Sequence, residues 1–133
     1  MKYYLDTNII IYALNGKYPR ILSHFQQVPS LSIVIPSVVL AEIEYGARKS
    51  FDYEKTISLY RKFVSYFAIE PFTGHAAAAY GRIRSSLEKK GQIIGANDLL
   101  IAAAAMADHG ILVTHNTREF SRVEGLVYED WTE

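Results

Sequence analysis

Short apolar runs rich in β-formers alternate with longer stretches of helical period along this chain, and that alternation constrains the fold more than any other feature. Lys2–Leu5, Leu31–Ile35, Phe67–Glu70 and Ile111–Thr114 read as strands, with Leu126–Glu129 as a weaker fifth. Between them, Thr7–Leu14, Ser37–Ser50, Asp52–Ser65, Thr73–Lys90 and Asp98–His109 read as helices. Pro36 closes the second strand and suits a helix start, and Gly110 reads as the C-cap of the last long helix. Strands that alternate with helices predict an α/β fold, a mostly parallel sheet with helices on both faces. A chain of 133 residues holds one such core and not two, so residues 1–133 read as one domain. Ligands of such sheets bind beyond the carboxyl ends of the strands, so the polar residues placed there carry the functional reading.

Asp6 directly follows the first strand. It suits an N-cap for Thr7–Leu14 as well as it suits a ligand. Glu42 is more telling. Its helical neighbours are Val38, Val39, Tyr45 and Gly46, none of them charged, whereas Glu44 has Arg48 one turn on and reads as a solvated pair. An unpaired carboxylate on an apolar face costs on the order of several kcal/mol unless a cation, a ligand or a proton meets it. Asp98 opens a helix of small residues, with Asn97 before it as a candidate cap; a first-turn acid also complements the helix dipole. Asn116 and Glu119 lie just past the fourth strand at capping-box spacing, and there Asn116 faces the same strand ends as Asp6.

Taken together, these positions set three carboxylates and an amide above one sheet edge. Clustered carboxylates raise one another's pKa unless a cation neutralises them. An all-oxygen donor set selects a hard ion, Mg²⁺ or Mn²⁺ rather than zinc, of the kind that activates water for phosphoryl displacement. With no cysteine in the chain, thiolate zinc sites, disulfides and cysteine nucleophiles are excluded. His24, His75, His109 and His115 have no metal-ligand spacing. The N-terminus has an acid where a signal peptide would be apolar, and Leu99–Ala107 is the longest apolar run, so a cytoplasmic location is the default expectation.

Leu5-Asp6-Thr7-Asn8, Pro36 followed by Glu42, Asn97-Asp98 leading into Leu100-Ile101-Ala102-Ala103-Ala104, and Thr114-His115-Asn116-Thr117-Arg118-Glu119-Phe120 together resemble PIN-domain ribonucleases. The similarity is greatest to the VapC toxins of bacterial toxin–antitoxin pairs, and it covers essentially the whole chain. The resemblance implies a PIN-like, Rossmann-like domain with Mg²⁺-dependent endoribonuclease activity on single-stranded RNA, transfer or ribosomal RNA included. It implies catalytic roles for Asp6, Glu42, Asp98 and Asn116, with Asp6 and Asp98 on the metal and Glu42 supporting it. Thr7 and Thr114 would be supporting hydroxyls, and Glu119 would complete the site where many relatives carry Asp in place of Asn116. It further implies a homodimer and a VapB-type antitoxin partner.

Other enzyme patterns fail on single residues. A dehalogenase-like phosphatase needs a second acid where Asn8 stands, and no glycine-rich phosphate loop is present. The alternative from another class is a module of the same fold that holds RNA or antitoxin without cutting. The ten tyrosines are compatible with this alternative, since exposed ones can stack on bases.

A net charge of zero argues against a nucleic-acid binder until its distribution is read. Glu124, Glu129, Asp130 and Glu133 give the last eleven residues four acids and no cation, leaving +4 on positions 1–122. Two basic stretches, Arg48, Lys49, Arg61 and Lys62, then Arg82, Arg84, Lys89 and Lys90, are expected to flank the cleft and meet phosphates.

Overall fold

In the computed structural model, which describes residues 1–133, the bulky run at the N-terminus forms β1 (Tyr3–Leu5). Asp6 stops it: the carboxylate accepts the Thr7 N–H at 2.9 Å and caps α1 (Thr7–Asn15). Next come α2 (Pro19–Gln27), a short 3-10 turn at Ser30–Ser32, and the fully buried β2 (Ile33–Pro36). An antiparallel-type hairpin of helices follows, α3 (Ser37–Arg48) and α4 (Tyr53–Val64), the second capped by Asp52. The remaining elements are β3 (Ala68–Glu70), α5 (Gly74–Lys90), α6 (Ala96–Ala107), β4 (Ile111–Val113), α7 (Thr117–Phe120) and β5 (Val127–Glu129).

The sheet is wholly parallel, with strand order β3-β2-β1-β4-β5. Leaving β1, the chain builds outward to β2 and β3, then returns to β1's other side with β4 and β5. The order therefore reverses between β1 and β4, and their carboxyl ends, Asp6 and Thr114, flank the crevice where such sheets bind ligands.

Three local expectations change. Residues 19–27 form a helix absent from the sequence reading, started by Pro19 in its first turn, with Ile21 as its one fully buried residue. The second strand begins at Ile33, because Leu31 is 95% exposed in the 3-10 turn. Gly110 is not the left-handed residue that closes α6; His109 is, at φ 52°, and the Gly110 N–H returns to the Ala105 carbonyl at 2.9 Å. Gly110 is small because the Tyr4 ring lies against it, 2.5 Å from where a Cβ would stand.

The core runs through both faces of the sheet and includes Leu5, Ile9, Ile35, Ile101 and Leu112, each fully buried. Each such side chain contributes about 1.5–3 kcal/mol through burial. In α6, Leu99 and Ile101–Ala105 are buried; the helix packs on α5 and also meets β4 of the sheet. The acidic C-terminal segment is tied down rather than loose. Trp131 is 1% exposed, stacks on His24 at 5.2 Å, and donates its indole N–H to Glu129 at 3.0 Å. No helix is long and apolar enough to cross a membrane.

Candidate active site

Four carboxylates from four elements meet around the β1–β4 crevice through neutral donors. Asp6 is 4% exposed, and its two oxygens accept the Thr7 N–H at 2.9 Å and the Thr114 hydroxyl at 2.8 Å. Thr7 donates its own hydroxyl to Glu42 at 2.6 Å, and the second oxygen of Glu42 accepts from the Asn97 amide at 3.4 Å. On the other side, the Asn116 N–H donates to the Thr114 oxygen at 2.9 Å. The Asn116 side-chain nitrogen reaches Glu119 at 2.8 Å and Asp98 at 3.4 Å. One hydrogen-bonded circuit thus runs from Asn97 through Glu42, Thr7, Asp6, Thr114 and Asn116 to Asp98 and Glu119.

Several alternatives left open by the sequence are resolved by this circuit. Asp6 both caps α1 and faces the crevice. Asn97 is no cap, since Gly95 holds that position; it sits in the first turn of α6 and reaches Glu42. Asn116 precedes α7 but its side chain caps nothing, and it turns its nitrogen to the acids.

None of Asp6, Glu42, Asp98 and Glu119 pairs with a lysine or arginine. Their protonation reflects that. Burial pushes the Asp98 carboxyl up to about 8, assisted by a proton shared with Glu119 and by the charges of Asp6, Glu119 and Glu42. The same shared bond holds Glu119 below the usual carboxylate range. Asp6 is raised, by burial above all, although the bonds from Thr114 and Thr7 oppose the shift. The cluster therefore combines oxygen donors with an unmet negative charge, the chemistry that suits a hard divalent cation. No three of these side chains converge as a ready-made metal cage.

One of the two basic stretches reaches the cleft. Of the eight residues, Lys49 alone lines a pocket with Thr7 and Glu42. Glu44 does not pair with Arg48; it joins Arg61 at 3.1 Å and the Tyr53 hydroxyl at 2.8 Å, while Arg48 lies 3.7 Å from the Tyr53 ring centre. Arg84 is held by Glu88 and Lys90 by Glu124. Beside the circuit, His115 is an exposed histidine within 3.0 Å of Asp130 and 3.1 Å of Thr132. Its neighbours come from the C-terminal segment, which gave no local signal of contact with the site.

A PIN domain matches residues 3–126. Ribonuclease VapC2 of Rickettsia felis is 44% identical over 135 residues, covering 98% of each chain. This chain is a PIN domain of the VapC family. Another VapC relative, the tRNA(fMet)-specific endonuclease of Shigella flexneri, is 38% identical over 132 residues and 99% of each chain. Among solved structures, VapBC2 from Rickettsia felis bound to a DNA fragment from their promoter superposes with a TM-score of 0.90 at 40% identity, covering 97% of this chain and 98% of that one. The VapC assignment gives the five-stranded parallel sheet its family context, and nucleases of this family generally depend on a divalent metal.

Proposed function

We propose that this chain is the toxin of a VapBC-type pair and acts as a Mg²⁺-dependent endoribonuclease on single-stranded regions of RNA. The single observation that carries this reading is the group of four carboxylates with no cationic partner, assembled at the switch point of the sheet. Asp6 and Asp98 would hold the ion, with Mn²⁺ as an alternative, and Glu42, Asn116 and Glu119 would complete the site. Bound there, the ion supplies charge neutralisation at the phosphate and a more acidic water.

The protein's own groups do the rest. Thr7 and Thr114 fix the rotamers of Glu42 and Asp6 by donating to them, so the carboxylates need no reorganisation to receive a ligand. Asn116 holds Asp98 and Glu119 together without adding charge. Glu42, with Thr7 and Asn97 on its two oxygens, is placed to orient a water or accept its proton.

The naming of a relative for tRNA(fMet) makes transfer RNA the first substrate to examine. A VapB-type antitoxin partner, a homodimeric assembly and a cytoplasmic location belong to the same reading. The test is incubation of purified protein with transfer and total RNA in Mg²⁺, Mn²⁺ or EDTA, beside Asp6→Asn. Cutting that stops with EDTA and with the substitution is expected; cutting that survives either sinks the metal mechanism. RNA bound and left intact in every metal would favour the non-cleaving module.

A further inference from the structure

We propose that the face of α3 running from Glu42 to Lys49 is the track on which single-stranded RNA enters the carboxylate site. One base lies on Tyr45, a phosphate meets Lys49, and the sugar–phosphate chain passes over Gly46. This inference rests on the RNA-cleaving reading and extends it to a binding surface.

A groove of about 450 Å³ leaves the site along this face, lined by Thr7, Glu42, Asn97, Tyr45, Gly46 and Lys49 among others. Glu42, Tyr45, Gly46 and Lys49 follow one another at helical neighbour spacing, so they form one continuous strip that begins at a site carboxylate. Three features of the strip serve no purpose in the fold. Tyr45 is 66% exposed, an aromatic ring left in water beside the site. Lys49 has no acidic partner and lies 4.7 Å from the centre of that ring, whereas Arg48 and Glu44 on the same helix are turned to α4.

Gly46 is the third. Inside a helix glycine is the poorest choice after proline, and position 46, in the last turn of α3, requires neither a left-handed backbone nor a small neighbour. A Cβ there would meet nothing within 4 Å. Empty space over a costly residue, next to an exposed ring and an unpaired cation, fits a polyanion that carries flat bases. Stacking on one exposed aromatic tolerates any base, and one phosphate contact adds no sequence preference.

The experiment measures binding of a fluorescein-labelled 20-nucleotide RNA of randomised sequence by anisotropy, in EDTA, so that no cleavage is needed. Tyr45→Ala, Lys49→Gln and Gly46→Leu should each raise Kd about fivefold or more. Lys49→Gln should also lower the slope of log K against log salt by about 1, and Lys62→Gln, on exposed α4 surface, should do neither. Gly46→Ala separates binding from folding: Tm should rise by about 4 °C while RNA affinity does not improve. Weakened binding by the three variants supports the track even where the wild type fails to cleave in Mg²⁺, a result that removes only the nuclease reading. Unchanged Kd values overturn the track. So does an RNA affinity that survives in variants which instead lose inhibition by the antitoxin, because the face would then belong to the protein partner.

Discussion

Thr7 donates its hydroxyl to Glu42 at 2.6 Å, joining the first turn of α1 to the middle of α3 across 35 positions of sequence. Glu42 is half-buried beside the exposed Tyr45 and Gly46, not sunk in an apolar face, and the bond gives its carboxylate a neutral donor in place of a cation. It also makes a substitution informative. Thr7→Val keeps the shape and removes the donor, so metal affinity and cleavage should fall about 10- to 100-fold while Thr7→Ser stays near wild type. Calorimetric Mn²⁺ titration and kcat on a cleavable RNA measure the two effects. Equal values for the valine and serine variants would show that the bond does not position Glu42.

The raised carboxyl of Asp98 ties stability to pH. Folded, it releases its proton at about 8; unfolded, at its ordinary 3.8. Between those values the folded state binds more protons, so this group's contribution is full at acid pH and is lost as pH rises to about 8. Metal-free protein should therefore melt at progressively lower temperature from pH 5 to pH 8. Asp98→Asn should flatten that trend, raise Tm by several degrees at pH 8, and abolish cleavage. Divalent metal should bind more tightly as pH rises through 7, with proton release on binding. A metal-free Tm that climbs with pH in the wild type alone would contradict this account.

Gly95 caps α6 with its backbone, and a Cβ there would stand 3.2 Å from Asp98 Oδ2. The same oxygen accepts from the Asn116 amide at 3.4 Å. Gly95→Ala should displace it by a few tenths of an ångström. The expected result is about tenfold weaker metal binding with Tm within about 2 °C of wild type. Titration of both proteins with Mn²⁺ reads the difference, and identical affinities would mean that the carboxylate yields freely.

Trp131 joins the C-terminal segment to α2 by stacking on His24 and meeting Phe25 edge-on at 5.3 Å. Trp131→Ala should cost about 3–5 kcal/mol in urea unfolding. It should also free Asp130 and Thr132 from His115, which histidine NMR shifts would report. A loss below 1 kcal/mol would mean that the segment is dispensable to the fold.

The parallel sheet was legible because each strand is a short apolar run closed by an acid, a proline or a loop, and this pattern is local. Glu42 was legible for a similar reason: its helical neighbours contain no cation. What escaped depends on partners distant in sequence. Arg48 had Glu44 one turn back on its own helix and took the Tyr53 ring of α4 instead, a choice that only the α3–α4 packing decides. Asn97 looked like a cap because its true acceptor, Glu42, lies 55 positions away. The α2 helix escaped because it buries little, and its Phe25 meets Phe63, Phe67 and Trp131, all distant in sequence. Within the basic stretches, Arg61 and Lys90 take acids distant in sequence, Glu44 and Glu124, and only the tertiary packing decides that.

The central strand has one neighbour made early and one made late. Asp6 is synthesised directly after β1, yet the hydroxyl that holds its carboxylate arrives 108 residues later, just past β4. A ribosome that stalls before that point leaves a fragment whose crevice lacks one wall. In such a chain the Asp6 carboxylate lacks the hydroxyl that holds it, and the Asn116 and Glu119 side of the site is missing.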